Sequence, residues 1–182
     1  MSDMKYRQMR FYHPNAKGSG CALSLELLPA DSMNEGCIMA SIAKQASIGN
    51  RQGPTPTYST FNWEGATTVK LGFGDLCKML QVLRGETESV EDGKGLFHRS
   101  ESANTRISFR HLVEPVTGYA LEVHRIRNSS EGESRSLIVL TAWEALGFAE
   151  LIAGSMSLVC FGLPMKRAGA AKKREGTDNE AA

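Results

Sequence analysis

Leu71-Gly72-Phe73-Gly74-Asp75-Leu76-Cys77-Lys78-Met79-Leu80-Gln81-Val82-Leu83-Arg84-Gly85 aligns, 69 positions on, with Leu140-Thr141-Ala142-Trp143-Glu144-Ala145-Leu146-Gly147-Phe148-Ala149-Glu150-Leu151-Ile152-Ala153-Gly154. Leu76, Met79, Leu80 and Leu83 coincide with Ala145, Phe148, Ala149 and Ile152, so both copies carry the i, i+3, i+4, i+7 stripe of an amphipathic helix. Each copy follows a run rich in strand formers and closes at a glycine, where a helix is expected to end. Thr141 with Glu144 has the spacing of a capping box, and Gly72 with Asp75 occupies the matching start.

Working outward, four strand patterns precede each helix. In the first half they are 5–12, 20–28, 37–46 and 61–71; Cys21, Leu23, Leu25 and Leu27 share one face by period two. Residues 47–59, with two glycines and two prolines, read as a long mobile loop. In the second half the strands are 96–100, 104–112, 118–127 and 135–140, with a helix from Thr141 to about Met156. The chain therefore reads as α+β, built from two ββββα repeats: about 5–85 and about 95–162, within one domain over 1–165. Residues 166–182 contain no large apolar side chain and read as a disordered charged tail. The second helix is apolar on nearly every side (Trp143, Leu146, Phe148, Leu151, Ile152), more than one sheet face can cover, so burial in an oligomer is expected.

Composition narrows the function. The 182 residues carry 21 Lys and Arg against 20 Asp and Glu, a net charge of +1. Five of those bases and three of the acids lie after residue 165, which leaves the folded part without bulk positive charge. Bulk charge therefore speaks against nucleic acid as a partner, and any such affinity would have to come from local basic rows and stacking. No apolar run approaches the ~20 residues of a bilayer span, and the first residues lack the layout of a secretory signal. A cytoplasmic, nucleoid-associated protein with no membrane partner is expected. Cys21, Cys37, Cys77 and Cys160 stand far apart in apolar contexts and read as buried free thiols; neither they nor His13, His98, His111 and His124 show metal-ligand spacing. No cofactor and no metal site are expected. Gly72-Phe-Gly74 lacks the remainder of a dinucleotide fingerprint, and no catalytic constellation is suggested, so the chain does not read as an enzyme.

Three local patterns, in order, carry a family resemblance: Lys17-Gly18-Ser19-Gly20-Cys21-Ala22-Leu23; Phe61-Asn62-Trp63-Glu64; and Leu96-Phe97-His98-Arg99 followed by Arg106-Ile-Ser-Phe and Gly118-Tyr119-Ala-Leu-Glu-Val. Together they resemble the Whirly proteins over about residues 10–162. That resemblance implies two antiparallel four-stranded sheets packed across each other, helices at the core of a homotetramer, and single-stranded DNA as ligand. It also points to guide-RNA-binding proteins and single-repeat coactivators as relatives. The chain departs from the family in a longer 47–59 loop, in Ser19-Gly20, and in lacking an acidic aromatic tail.

Sequence-tolerant binding of single strands needs rings for bases and cations for phosphates. The candidates are Tyr6, Arg10 and Tyr12 on the first strand, Lys17 beside its glycines, Lys44, and Tyr58 in the loop. In the second half they are Phe97, His98 and Arg99, the alternating Arg106 and Arg110, and Tyr119 with Arg125. Phe97 and Tyr119 also read as sheet-packing rings, and Trp63 as a structural one. The expected activity is protection or annealing of single-stranded DNA in replication, recombination or repair. RNA binding on the same fold, a coactivator role, and an oligomeric assembly protein that binds no nucleic acid are the alternatives.

Overall fold

The structure is a computed structural model that describes residues 8–52, 54–128 and 132–163. Two four-stranded antiparallel sheets each lead into one helix. Sheet A runs in the order β1 (Gln8–His13), β2 (Cys21–Leu28), β3 (Cys37–Ser47) and β4 (Thr60–Leu71), followed by α1 (Phe73–Leu83). Sheet B runs β5 (Leu96–Arg99), β6 (Ala103–Leu112), β7 (Gly118–Arg127) and β8 (Glu133–Leu140), followed by α2 (Ala142–Phe161). The expected ββββα repeat is present twice. Tyr6 and the charged tail lie outside the described residues.

The registers superpose the two halves. Phe11 faces Leu23 and Ile42 as Leu96 faces Ile107 and Val123. These side chains, with Val69, Leu71, Ile138 and Leu140, form one buried core together with both helix stripes. Where the halves meet, Thr67 and Ser136, 69 positions apart, share a buried hydrogen bond of 2.9 Å between their hydroxyls. Leu76, Met79 and Leu80 of α1 and Ala145, Phe148 and Ile152 of α2 are buried, as their spacing predicts.

The second helix is longer than its sequence suggests. Gly85 closes α1 in the left-handed region at φ 73°, but Gly154 does not end α2; Gly162, at φ 72°, does. The extra turns are held at their end by the 29–36 connection, where Ala30 N–H donates to Leu158 C=O at 2.9 Å. At 20 residues, α2 is long and apolar enough by length and composition to cross a bilayer, which corrects the reading that no stretch approaches that length. Its fully buried Phe148 and Ile152 make it a core helix on one side. Trp143, Leu146 and Phe161 stay exposed on the other. Cys37 is buried and Cys21 and Cys77 half-buried, as expected of free thiols, whereas Cys160 is exposed on α2.

Two further corrections concern connections. Gly49 N–H donates to Ser59 Oγ at 3.0 Å, Asn50 N–H to Thr57 Oγ1 at 2.9 Å and Thr57 N–H to Asn50 C=O at 2.8 Å. Residues 48–52 and 57–59 thus extend the β3–β4 hairpin instead of forming the loose loop their composition predicts. Between α1 and β5, Glu91, Asp92 and Gly93 sit consecutively at φ 50°, 51° and 83°, a left-handed turn. Only glycine adopts that region without strain. Replacing Asp92 by glycine is expected to stabilise the fold by about 0.5–1 kcal/mol, the strain removed less glycine's greater unfolded freedom. Thermal unfolding should register a rise of roughly 1–4 °C.

Candidate nucleic-acid interface

Sheet B presents an outer face whose rows follow from its register. Phe97 stands opposite Arg106, Arg106 opposite His124, and His124 opposite Arg135, so one row crosses all four strands. Arg99, Asn104 and Ile126 form the row on one side; on the other, Arg110 lies four residues along β6 from Arg106. Period two thus places Arg106, Ser108 and Arg110 outward while Ile107 and Phe109 fill the core. Phe97, which also read as a packing ring, is 72% exposed.

The left-handed turn walls this face. Its Gly93 C=O accepts from Arg106 Nη2 at 2.8 Å, and the guanidinium lies 5.9 Å from the Phe97 ring centroid. The trough between the turn and the sheet measures about 520 Å³ and is lined by Arg106, Arg110, His124 and Arg135. A second hollow of about 370 Å³ over Phe97, Asn104 and Ile126 shares Arg106 and His124 with it. Acids temper its charge. Arg135 donates to Glu122, and His124 Nε2 lies 2.6 Å from Glu133 Oε1. Among the described residues, Arg106 and Arg110 make no ion pair.

Sheet A offers rings instead. The Arg10 guanidinium sits 4.8 Å from the Trp63 ring centroid, and Tyr12 lies 5.5 Å from Phe61 and 6.5 Å from Trp63. A bulge creates this cluster: the β3–β4 register jumps from Ile42↔Thr67 to Lys44↔Asn62. Asn62 Oδ1 steadies it by accepting from Gly65 N–H at 2.9 Å. The extra residues on β4 reverse which side chains face outward, so Phe61 and Trp63 join Tyr12. Tyr58 and Tyr12 line a cavity at the end of the same sheet.

The remaining candidates go elsewhere. Lys44 faces Cys21, itself opposite His13, and so lies on the face opposite Arg10 and Tyr12. Arg125 occupies the matching position of sheet B and ties the sheets together, donating to Thr105 Oγ1 at 3.2 Å and to Thr68 C=O. Tyr119 packs against His111 and Phe109, with ring centroids 4.8 and 6.0 Å away. Lys17 projects from the 14–20 turn, whose backbone Asn15 organises. His98 is committed to the fold: its Nε2 lies 3.0 Å from Asp75 Oδ2, and the same oxygen accepts from Gly72 N–H at 3.1 Å.

The first half mirrors this. His13 Nε2 lies 2.8 Å from Glu144 Oε1, while Glu144 Oε2 accepts from Thr141 N–H at 2.8 Å. Each helix start is therefore capped by its own acid, which in turn engages a histidine from the first strand of the other repeat. Burial of Glu144 pushes its carboxyl up, but hydrogen bonds from His13 and Thr141 outweigh this and hold it below the ordinary glutamate value.

Sequence reasoning named neither Phe61 nor Arg135 as a site residue and took Trp63 as structural. Arg135 was open to discovery, because it alternates outward with Leu137 on β8. Phe61 and Trp63 were not, since counting by twos back from Thr68 turns both rings inward.

No family model and no curated protein sequence matches the chain. Solved structures do. WHY1 from Arabidopsis thaliana superposes with a TM-score of 0.66 at 12% identity, covering 88% of this chain and 89% of that one. The plant transcriptional regulator PBF-2 gives 0.62 at 16% identity, covering 87% and 84%. A guide-RNA-binding protein complex bound to a guide RNA gives 0.55 at 12% identity, covering 84% and 91%. The chain has the fold of the Whirly proteins.

Proposed function

We propose that the protein binds single-stranded nucleic acid, single-stranded DNA in the first place, with little sequence preference. It shields or anneals exposed strands in replication, recombination or repair in the cytoplasm, at the nucleoid. The observation that carries this reading is the outer face of sheet B, where Arg106 and Arg110 are exposed, pair with no acid among the described residues, and share the face with the exposed ring of Phe97. Cations four residues apart on one face of a strand can track a phosphate backbone, and a neighbouring ring supplies stacking worth roughly 1–3 kcal/mol per base. The fold shared with a guide-RNA-binding complex keeps RNA as a second ligand class. The exposed Trp143, Leu146 and Phe161 support assembly through α2 into a homotetramer.

Fluorescence anisotropy tests the reading with a labelled strand of about 30 nucleotides and its duplex at two salt concentrations. The single strand is expected to bind in preference to the duplex, more weakly but still measurably at the higher salt. Competition with RNA of the same sequence ranks the two sugars, and light scattering on the same sample gives the assembly size. A folded protein that binds neither strand nor duplex would leave the assembly role as the function.

A further inference from the structure

The two sheets match strand for strand, yet they end differently. In sheet B the β5–β6 and β7–β8 connections span 100–102 and 128–132. In sheet A the equivalent connections span 14–20 and 48–59, and both stand at the same end of the sheet. Between them lies a cavity of about 630 Å³, against about 370 Å³ for the hollow over Phe97, Asn104 and Ile126 at that end of sheet B. Tyr12 and Phe61 come to it from the strands, Tyr58, Arg51 and Ile48 from the long hairpin, and Asn15 from the turn.

The walls are built in advance. Gln45 stands between them: its Oε1 accepts from Asn15 N–H at 2.9 Å and Gly20 N–H at 3.1 Å, and its Nε2 donates to Asn15 C=O at 3.1 Å and Ser47 C=O at 3.0 Å. A Cβ at position 20 would come within 2.3 Å of that Oε1, so the glycine is required for the approach. The hairpin side is fixed by the Gly49, Asn50 and Thr57 hydrogen bonds. A cavity of this size lies in the range that holds one small ligand, about 300–1,000 Å³. A mononucleotide is a ligand of that class.

We infer that this cavity binds a single nucleotide at the end of a strand, its base against Tyr12, Phe61 and Tyr58 and its phosphate at Arg51. Rings, one cation and amide groups around one hollow fit a base carrying a phosphate. The inference rests on the strand-binding reading and adds a polarity to it. Tyr12 belongs both to the Arg10–Trp63 cluster and to the cavity, so a strand following sheet A is led into it and stops there.

Trp63 reports on the cavity through Tyr12. In a Trp143→Phe background it is the sole tryptophan of the chain, which has two. Titration with adenosine monophosphate is expected to quench its fluorescence saturably. Tyr58→Ala and Arg51→Ala should each weaken that binding about tenfold, the low end of what a lost stacking ring or phosphate contact costs. The same variants should change the affinity of a 30-nucleotide strand much less. Arg106→Ala with Arg110→Ala should leave the monophosphate response intact. A strand that binds while the monophosphate gives no saturable response, or one that Tyr58→Ala and Arg51→Ala leave unchanged, overturns the end pocket and spares the strand reading. A monophosphate response without strand binding supports the pocket and overturns the strand reading.

Discussion

Arg106→Ala combined with Arg110→Ala lowers the affinity for a 30-nucleotide single strand about 10–100-fold at low salt, by loss of two phosphate contacts. The slope of log affinity against log salt should flatten by about 1.4, the single-strand value for two neutralised phosphates. The loss should be uniform across sequences, since phosphates carry no base information. Arg106→Lys separates charge from geometry. It keeps the cation but gives up the planar fork that Gly93 C=O orients over Phe97, so the salt slope should recover while part of the affinity does not. Unchanged circular dichroism would show that both variants are folded. Affinity and slope equal to wild type would remove sheet B from the interface.

Glu144→Ala should be the most damaging single polar substitution in the fold. The carboxyl is 3% exposed and engages both the Thr141 N–H and His13 across the repeats. Its removal orphans both in a largely desolvated place, at a cost of about 2–3 kcal/mol, allowing for partial exposure of His13. A drop of roughly 5–10 °C in the unfolding midpoint follows. The pH dependence has a definite sign. A carboxyl held below its ordinary value favours the folded state when ionised, so its contribution is present above the ordinary glutamate pKa of about 4.3. It is lost as pH falls through the lowered value. Stability of the wild type should therefore decline on the acid limb more steeply than that of Glu144→Gln. Coincident acid limbs would show that the His13 contact adds nothing to folding. Asp75→Ala, whose pair with His98 is more exposed, should cost less.

The halves of the fold were legible in the sequence to different depths. The helix stripes announced themselves because each needs one face buried, and Leu76, Met79 and Phe148 fill the core as their spacing demands. The outward pair Arg106 and Arg110 was equally plain, since β6 runs without a bulge and period two holds along it. Where the register breaks, sequence reading fails. The β4 bulge reverses parity and hides Phe61 and Trp63, and nothing local marks it beyond Asn62 and Gly65. Lys44 and Arg125 show the converse: both looked like phosphate ligands, but position on a strand fixes the face, and theirs is the helix-bearing one. Gly154 failed for another reason. A glycine ends a helix only where the chain turns away, and there the apolar run into Val159 still has a partner in the 29–36 connection.

The superposed registers place Tyr12 of β1 where sheet B has Phe97, Ala22 where it has Arg106, and Glu26 where it has Arg110. Inside, the matched residues stay alike in chemistry; outside, a ring is kept at the edge strand while Ala22 and Glu26 have parted from Arg106 and Arg110. A particle assembled from identical single repeats would have to carry the same surface on every blade, and any change useful on one would be imposed on the other. Joining both repeats in one chain lifts that constraint. One blade is free to become a ring-lined seat and the other a cationic track, while the shared interior preserves the frame that holds them in register.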